Sequence, residues 1–223
     1  MTKNLQSRKR QIVRDAIYDA AVELFAKEGF EQTTVEEVAE AAGISRRSFF
    51  RYFESKDDLL ALNTVHCGEI LVETVASCPA HLDMLEIVRE TVLAGVKFTE
   101  AQEHTNQIIA IAERSTSARQ AHLSRWMEVQ DKLALAYAAR IKGREYNLKP
   151  NLFAGISLLV INSAVASWYK GEHKSLSTAA KQAFLHLERL LGDTSAVFPE
   201  TQTATDGKRM STTAPKKSRS LKR

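Results

Sequence analysis

Cysteine is scarce in this chain. Cys67 and Cys78 are the only two in 223 residues, too few for a disulfide framework, and neither sits in a redox or nucleophile motif. Nine glycines and four prolines are too few for a sheet-rich fold dense in turns. No hydrophobic run reaches the roughly 20 residues that a membrane span needs. The longest, 152–168, is interrupted by Ser157, Asn162, Ser163 and Ser167. The histidines His66, His81, His104, His122, His173 and His186 make no HExxH or comparable metal spacing, and a glycine-rich phosphate loop is missing. Enzymes built on those motifs are excluded, and no metal or cofactor is implied. Nothing at the N-terminus resembles a signal peptide, so the expectation is a cytoplasmic protein with no membrane partner.

An evenly spread positive charge is also missing. The formal charge is +4, but Lys208, Arg209, Lys216, Lys217, Arg219, Lys222 and Arg223 face only Asp206 in the last 23 residues. The first 200 residues are therefore slightly acidic, and a nucleic-acid reading must rest on local placement rather than on pI. The tail, 193–223, reads as a disordered basic segment.

What the chain does have is helical periodicity. Val13, Ala16, Ile17, Ala20, Ala21, Leu24 and Phe25 recur at i, i+3, i+4 and i+7, which predicts an amphipathic helix over about 9–28, stopped by Gly29. Thr34 and Glu37 make a capping box for a short second helix with Val35, Val38 and Ala39 inward and Gly43 as its stop. Ser45 caps a third helix, SRRSFFRYF, and Ser55 a fourth. Beyond Cys78-Pro79, helices are expected over about 81–101, 103–114, 117–142, 150–170 and 176–191. No segment alternates as a strand would. The expected fold class is all-α, with about nine helices.

Three capped starts and two glycine stops within some 30 residues suit a small tri-helical unit with tight turns. Residues 34–53, TVEEVAEAAGISRRSFFRYF, have the parts of a helix-turn-helix: a short first helix, small Ala39 and Ala42 for close approach, Gly43 at the turn and Ile44 as its anchor. In such a unit the second helix enters the major groove with its N-terminal residues at the base edges. Here those are Arg46, Arg47 and Ser48, and a guanidinium fork matches O6 and N7 of guanine. Phe49 and Phe53 supply the buried face, leaving Arg51 outward. Two exposed arginines alone would be ordinary surface; at the head of a short, capped, glycine-turned helix they point to DNA.

Residues 14–60, RDAIYDAAVELFAKEGFEQTTVEEVAEAAGISRRSFFRYFESKDDLL, resemble the N-terminal domain of the TetR family of repressors. The likeness rests on AAVELF, Gly29-Phe30, Ala-Ala-Gly-Ile-Ser and the aromatic third helix leading to Ser55-Lys56. It implies a DNA-binding domain at 9–70 and a ligand-binding and dimerisation domain at 71–192. It also implies that Thr33 or Thr34 holds a phosphate, with Ser45, Tyr52 and Lys56 as further phosphate contacts, while Arg46, Arg47 and Ser48 face the bases. Position 50 is often tyrosine in that family. Phe50 lacks the hydroxyl, leaving a packing or sugar contact, and Arg51 is a candidate replacement for the lost one. Arg8, Lys9 and Arg10 read either as a flexible arm on the DNA or as a solvated terminus.

For the body, the resemblance implies homodimerisation through the last two helices, about 150–170 and 176–191, on double-stranded operator DNA. Helix 150–170 independently carries too wide an apolar surface for one core-facing stripe. A cavity among the middle helices is expected to take a small hydrophobic ligand, of acyl type by similarity to one subgroup. Its candidate lining is Phe98, Trp126, Gln130, Tyr137 and Asn162, with Gln107 and Trp168 as further polar and aromatic groups. The implied protein is a regulator, by family default a repressor released by its ligand, with constitutive or protein-partnered DNA binding as the alternative.

Overall fold

A hydroxyl that accepts a hydrogen bond from a free backbone N–H fixes where a helix begins, and the three starts marked by Thr34, Ser45 and Ser55 are each N-caps. The computed structural model describes residues 2–141 and 148–192, so the basic tail 193–223 lies outside the described residues. Among the described residues there are ten helices and no strand. They are α1 (Thr2–Glu28), α2 (Val35–Ala41), α3 (Arg46–Phe49), α4 (Lys56–Leu60), α5 (Leu62–Ser77), α6 (Met84–Glu100), α7 (Thr105–Arg114), α8 (Thr116–Arg140), α9 (Leu148–Tyr169) and α10 (Leu176–Gly192).

Four of these differ from expectation. The first helix begins at Thr2, so Arg8, Lys9 and Arg10 belong to α1 rather than to a flexible arm. The third keeps regular α geometry only to Phe49. It then tightens, with Arg51 N–H donating to Ser48 O (3.1 Å) and Tyr52 N–H to Phe49 O (2.9 Å), the i→i+3 pattern common at helix ends. The expected fourth helix is divided at Ala61, whose ψ of −3° tightens one turn. Ala61 N–H still reaches Asp57 O at 3.0 Å and Val65 N–H reaches Ala61 O at 3.0 Å, so α4 and α5 form one kinked rod. Finally, α6 starts at Met84 from a capping box of Asp83 with Glu86, three residues after the expected 81.

Within the unit that ends at Leu187 the apolar residues collect in two clusters. One joins Ile17, Val22, Phe25 and Phe30 to Val38, Phe49, Phe53 and Leu59, with Ile108, Ile111 and Ala118 added from α7 and α8. The other gathers Leu71, Val88, Val92, Leu133, Tyr137, Leu158, Ile161 and Leu176 from α5, α6, α8, α9 and α10. Two glycines allow the close crossings in this second cluster. A Cβ on Gly68 would stand 2.5 Å from a Val129 methyl, and one on Gly95 would stand 2.8 Å from a Leu71 methyl. In the second unit, Glu188–Arg223, the described residues are the final turn of α10.

By length and composition α9 could cross a membrane, with a mean hydropathy of 1.6 over its most apolar window. Its Ala154, Ser157, Leu158, Val160, Ile161 and Ala164 are nevertheless buried, and α9 packs against α6 and α8. One side of α9 is thus packed into the bundle.

Candidate nucleic-acid interface

The reading unit is assembled from α2, a tight turn and α3. Thr34 N–H and Oγ1–H both donate to Glu37 Oε2, at 2.7 and 2.8 Å, while Glu37 N–H donates to Thr34 Oγ1 at 3.2 Å. These bonds hold the Glu37 carboxyl below the usual carboxylate range, chiefly through the Thr34 backbone N–H. Gly43 turns the chain with φ of 68°, a conformation costly for any residue with a Cβ, and Ile44 N–H closes the turn on Ala39 O at 2.9 Å. Ser45 then caps α3, accepting from Ser48 N–H at 3.1 Å.

Phe49 and Phe53 are buried beneath α3 and pack on one another. Arg46, Arg47 and Arg51 are exposed, as are Thr34 and Ser45, while Ser48 and Tyr52 are half-buried. Tyr52 and Arg51 line an open groove with Gln6, Lys9, Arg10 and Val13 of α1, so cations from both ends of the unit share one concavity. Two of the expected phosphate contacts are occupied otherwise. Thr33 is buried and its hydroxyl donates to Gly29 O at 2.8 Å, which leaves Thr34 as the accessible threonine. Lys56 turns its ammonium inward to the carbonyls of Phe30 (2.7 Å), Glu31 (3.3 Å) and Thr33 (3.3 Å), over the Phe30 ring. With three donors engaged, only its backbone N–H remains for a phosphate.

Residues 17–62 match the family described as bacterial regulatory proteins, tetR family. Over 186 residues the chain is 31% identical to the mycofactocin biosynthesis transcriptional regulator MftR, so named in Mycobacterium tuberculosis, covering 79% of this chain and 90% of that protein. The chain belongs to the TetR family. It is also 28% identical over 174 residues to the transcriptional regulator TcmR of Streptomyces glaucescens, covering 74% of this chain and 76% of that one. The crystal structure of NalD, a repressor of a multidrug efflux pump in Pseudomonas aeruginosa, shares the fold with a TM-score of 0.57 at 20% identity, over 82% of this chain and 96% of that one. This TetR-family protein is thus an all-helical DNA-binding transcriptional regulator, as its relatives are, and not an enzyme.

The regulator's body contains a cleft of about 90 Å³ between α5, α6, α7, α8 and α9. Of the five residues expected to line it, Phe98, Trp126 and Asn162 do. Gln130 instead faces solvent. Tyr137 is fully buried in the core, its hydroxyl 2.9 Å from Ser157 Oγ and 3.3 Å from Thr91 Oγ1. Both misplacements come from α8, a 25-residue helix whose rotation is set by its neighbours and not by its own pattern. Thr64, Cys67, Gln102, Thr105 and His122 line the cleft unforeseen; residues scattered over three helices and a loop leave no sequence signal. Burial pushes the Cys67 thiol up to about 11.

The stretch of α8 that borders the cleft also grips the reading unit. Trp126 Nε1–H donates to His122 Nε2 at 2.8 Å, which places the imidazole proton on Nδ1, 3.2 Å from Thr64 Oγ1. One residue before Trp126, Arg125 donates to Asp58 of α4. At the start of the same helix, Ser117 donates to Glu31 Oε1 at 2.8 Å, beside a second bond from Ser115. Those two hydroxyls lower the Glu31 pKa. Leu60 of α4 forms part of the cleft wall and also belongs to the apolar cluster beneath α2 and α3, so the cleft borders the core on which the reading unit rests.

Burial lowers the pKa of His122, and burial followed by the Arg14 charge lowers that of His66. The folded protein therefore binds fewer protons than the unfolded chain below the ordinary histidine value of about 6.5. Stability from these two groups is complete above that value and is lost as pH falls through the lowered values. Denaturation midpoints are expected to drop between about pH 7.5 and 5.5, and to drop less in His122→Gln. A pH-independent midpoint in the wild type would contradict the burial of both imidazoles.

Proposed function

We propose that this regulator binds a two-fold symmetric operator as a homodimer in the cytoplasm and represses until a small hydrophobic ligand of acyl type releases it. Residues 9–70 form the DNA-binding domain and residues 71–192 the sensing and dimerising one. The observation that carries the reading is the head of α3: arginines 46, 47 and 51 face outward from a Ser45-capped turn whose opposite side is anchored by Phe49. Arg46, Arg47 and Ser48 address the bases. Thr34, Ser45, Arg51, Tyr52 and the Lys56 backbone N–H address phosphates, joined by Lys9 and Arg10 across the shared groove.

Dimerisation is supported by an apolar stripe on α9. Leu152 and Leu159 are 51% and 60% exposed, with half-buried Ile156 between them and Leu185 of α10 also exposed. Joining two such faces would bury on the order of 1,200–2,000 Å² and present two reading helices about 34 Å apart. The mainly apolar cleft, with Asn162, Gln102 and Thr64 as polar fixtures, supports a lipophilic effector. At about 90 Å³ it is well under the roughly 300 Å³ of common ligand sites, so an occupant must widen it. Widening moves the α8 segment that holds Asp58 and the α4 residue Leu60, and so biases the pose of the reading helices.

The test is to sequence genomic DNA retained by the purified protein, with and without long-chain acyl compounds. An inverted repeat is expected, released by the ligand. Retention unaffected by any acyl compound would favour constitutive binding, and an asymmetric site would contradict the dimer. Leu159→Glu should convert the dimer to monomer by sedimentation and weaken operator binding by about 100-fold or more, since one half-site remains.

A further inference from the structure

Arg46 is exposed, yet it is not loose. Its Nε lies 2.8 Å from Glu36 Oε1, with the two side chains 66% and 56% accessible. Its guanidinium carbon stands 5.6 Å from the centre of the Phe50 ring. Phe50 is in turn set edge-on against buried Phe49, with ring centres 5.4 Å apart at 83°, and is itself 47% exposed. One long side chain is thus held from two sides, by an acid on α2 and an aromatic face at the end of α3. Among the described residues, the terminal Nη groups of Arg46 meet no protein acceptor, and Arg47, the next residue, has neither an ion pair nor a ring contact.

This arrangement has a cost that needs a return. A carboxylate near a DNA-facing surface repels phosphate, and a half-exposed phenylalanine leaves apolar surface in water. A flexible arginine loses side-chain entropy when it orders on a base, whereas a planar fork already fixed in orientation loses less. Contact at Nε and at one face of the guanidinium leaves both terminal nitrogens free of protein acceptors. That is the edge that pairs bidentately with O6 and N7 of guanine in the major groove.

We infer that Glu36 and Phe50 are positioning residues which hold the Arg46 guanidinium ready to read one guanine in each half-site. The inference rests on the DNA-reading role given above to Arg46. It turns the Phe50 departure from the family's tyrosine into a specificity device: the ring gives up a phosphate contact and supplies a platform for the reader. The Glu36 carboxylate lowers overall affinity and raises discrimination.

The experiment selects bound duplexes from a random pool with full-length wild type, Arg46→Ala, Glu36→Gln and Phe50→Ala, and sequences each selection. Arg46→Ala should flatten preference at one guanine-bearing position per half-site. Glu36→Gln and Phe50→Ala should flatten that same position by about three- to ten-fold and leave the other positions sharp. In an Arg46→Ala background neither should change the profile further. A general structural lesion would flatten every position, and simple relief of repulsion would tighten all duplexes equally with no change of profile. Either result overturns the inference. If Arg46→Ala flattens its position while Glu36→Gln and Phe50→Ala do not, the positioning role alone fails. If Arg46→Ala changes nothing, base reading by this residue fails as well.

Discussion

Arg46→Ala combined with Arg47→Ala is expected to bring operator affinity down by about 100-fold or more, toward the level of non-specific DNA, while the protein melts within a degree or two of wild type. The magnitude follows from losing one or two bidentate base contacts at about 1–3 kcal/mol each. Both side chains are exposed, and surface substitutions away from caps and cores usually stay within about 0.5 kcal/mol. Ser45, which caps the helix through Ser48 N–H, is untouched, so α3 should still form. Binding titrations on operator and scrambled duplexes, beside a thermal melt, separate the two effects. Undiminished discrimination by the double variant would remove α3 from base recognition altogether.

Phe49→Ala should do the reverse, costing about 3–5 kcal/mol of stability and taking DNA binding with it. Phe49 has no solvent exposure and joins the cluster that unites α1, α2, α3 and α4, so truncation leaves a cavity that these short helices have little slack to fill. Against a total of about 5–15 kcal/mol, such a loss would lower Tm by roughly 10 °C or more in a chain of this size. Phe50→Ala, one residue on and half exposed, should leave Tm nearly unchanged. The adjacent pair makes its own control in chemical denaturation. Equal losses from both would mean that the side of α3 facing the core has been misassigned.

The contrast between these two phenylalanines also marks what could be read without coordinates. Helix starts were legible because a capping hydroxyl acts on N–H groups two or three residues away, a local interaction; Thr34, Ser45 and Ser55 all hold. The inward aromatic at 49 was legible too, because a four-residue turn has one side facing the core. Lys56 was not. Its ammonium is captured by carbonyls at Phe30, Glu31 and Thr33, more than twenty residues upstream, and no local pattern announces such a capture. Along α8, apolar residues occur on more than one face, so its rotation depends on contacts with α5 and α9. That is why Trp126 lies at the cleft while Gln130 and Tyr137 do not. The Glu36–Arg46 pair was hidden for a related reason: it joins two helices across a turn whose angle only the fold sets.

The buried hydroxyls of Tyr137, Ser157 and Thr91 tie α8, α9 and α6 together about eleven residues along α8 from Trp126, or roughly 16 Å at 1.5 Å per residue. Sliding or rolling any of the three there would strand a buried polar group, a penalty of about 1–3 kcal/mol. The bundle therefore has a fulcrum at one end and, at the other, a jaw where Trp126 sits. Were the jaw to spread, α8 would turn most easily about Tyr137, as tweezers part about their joint, and the stretch displaced would be the one bonded to Asp58.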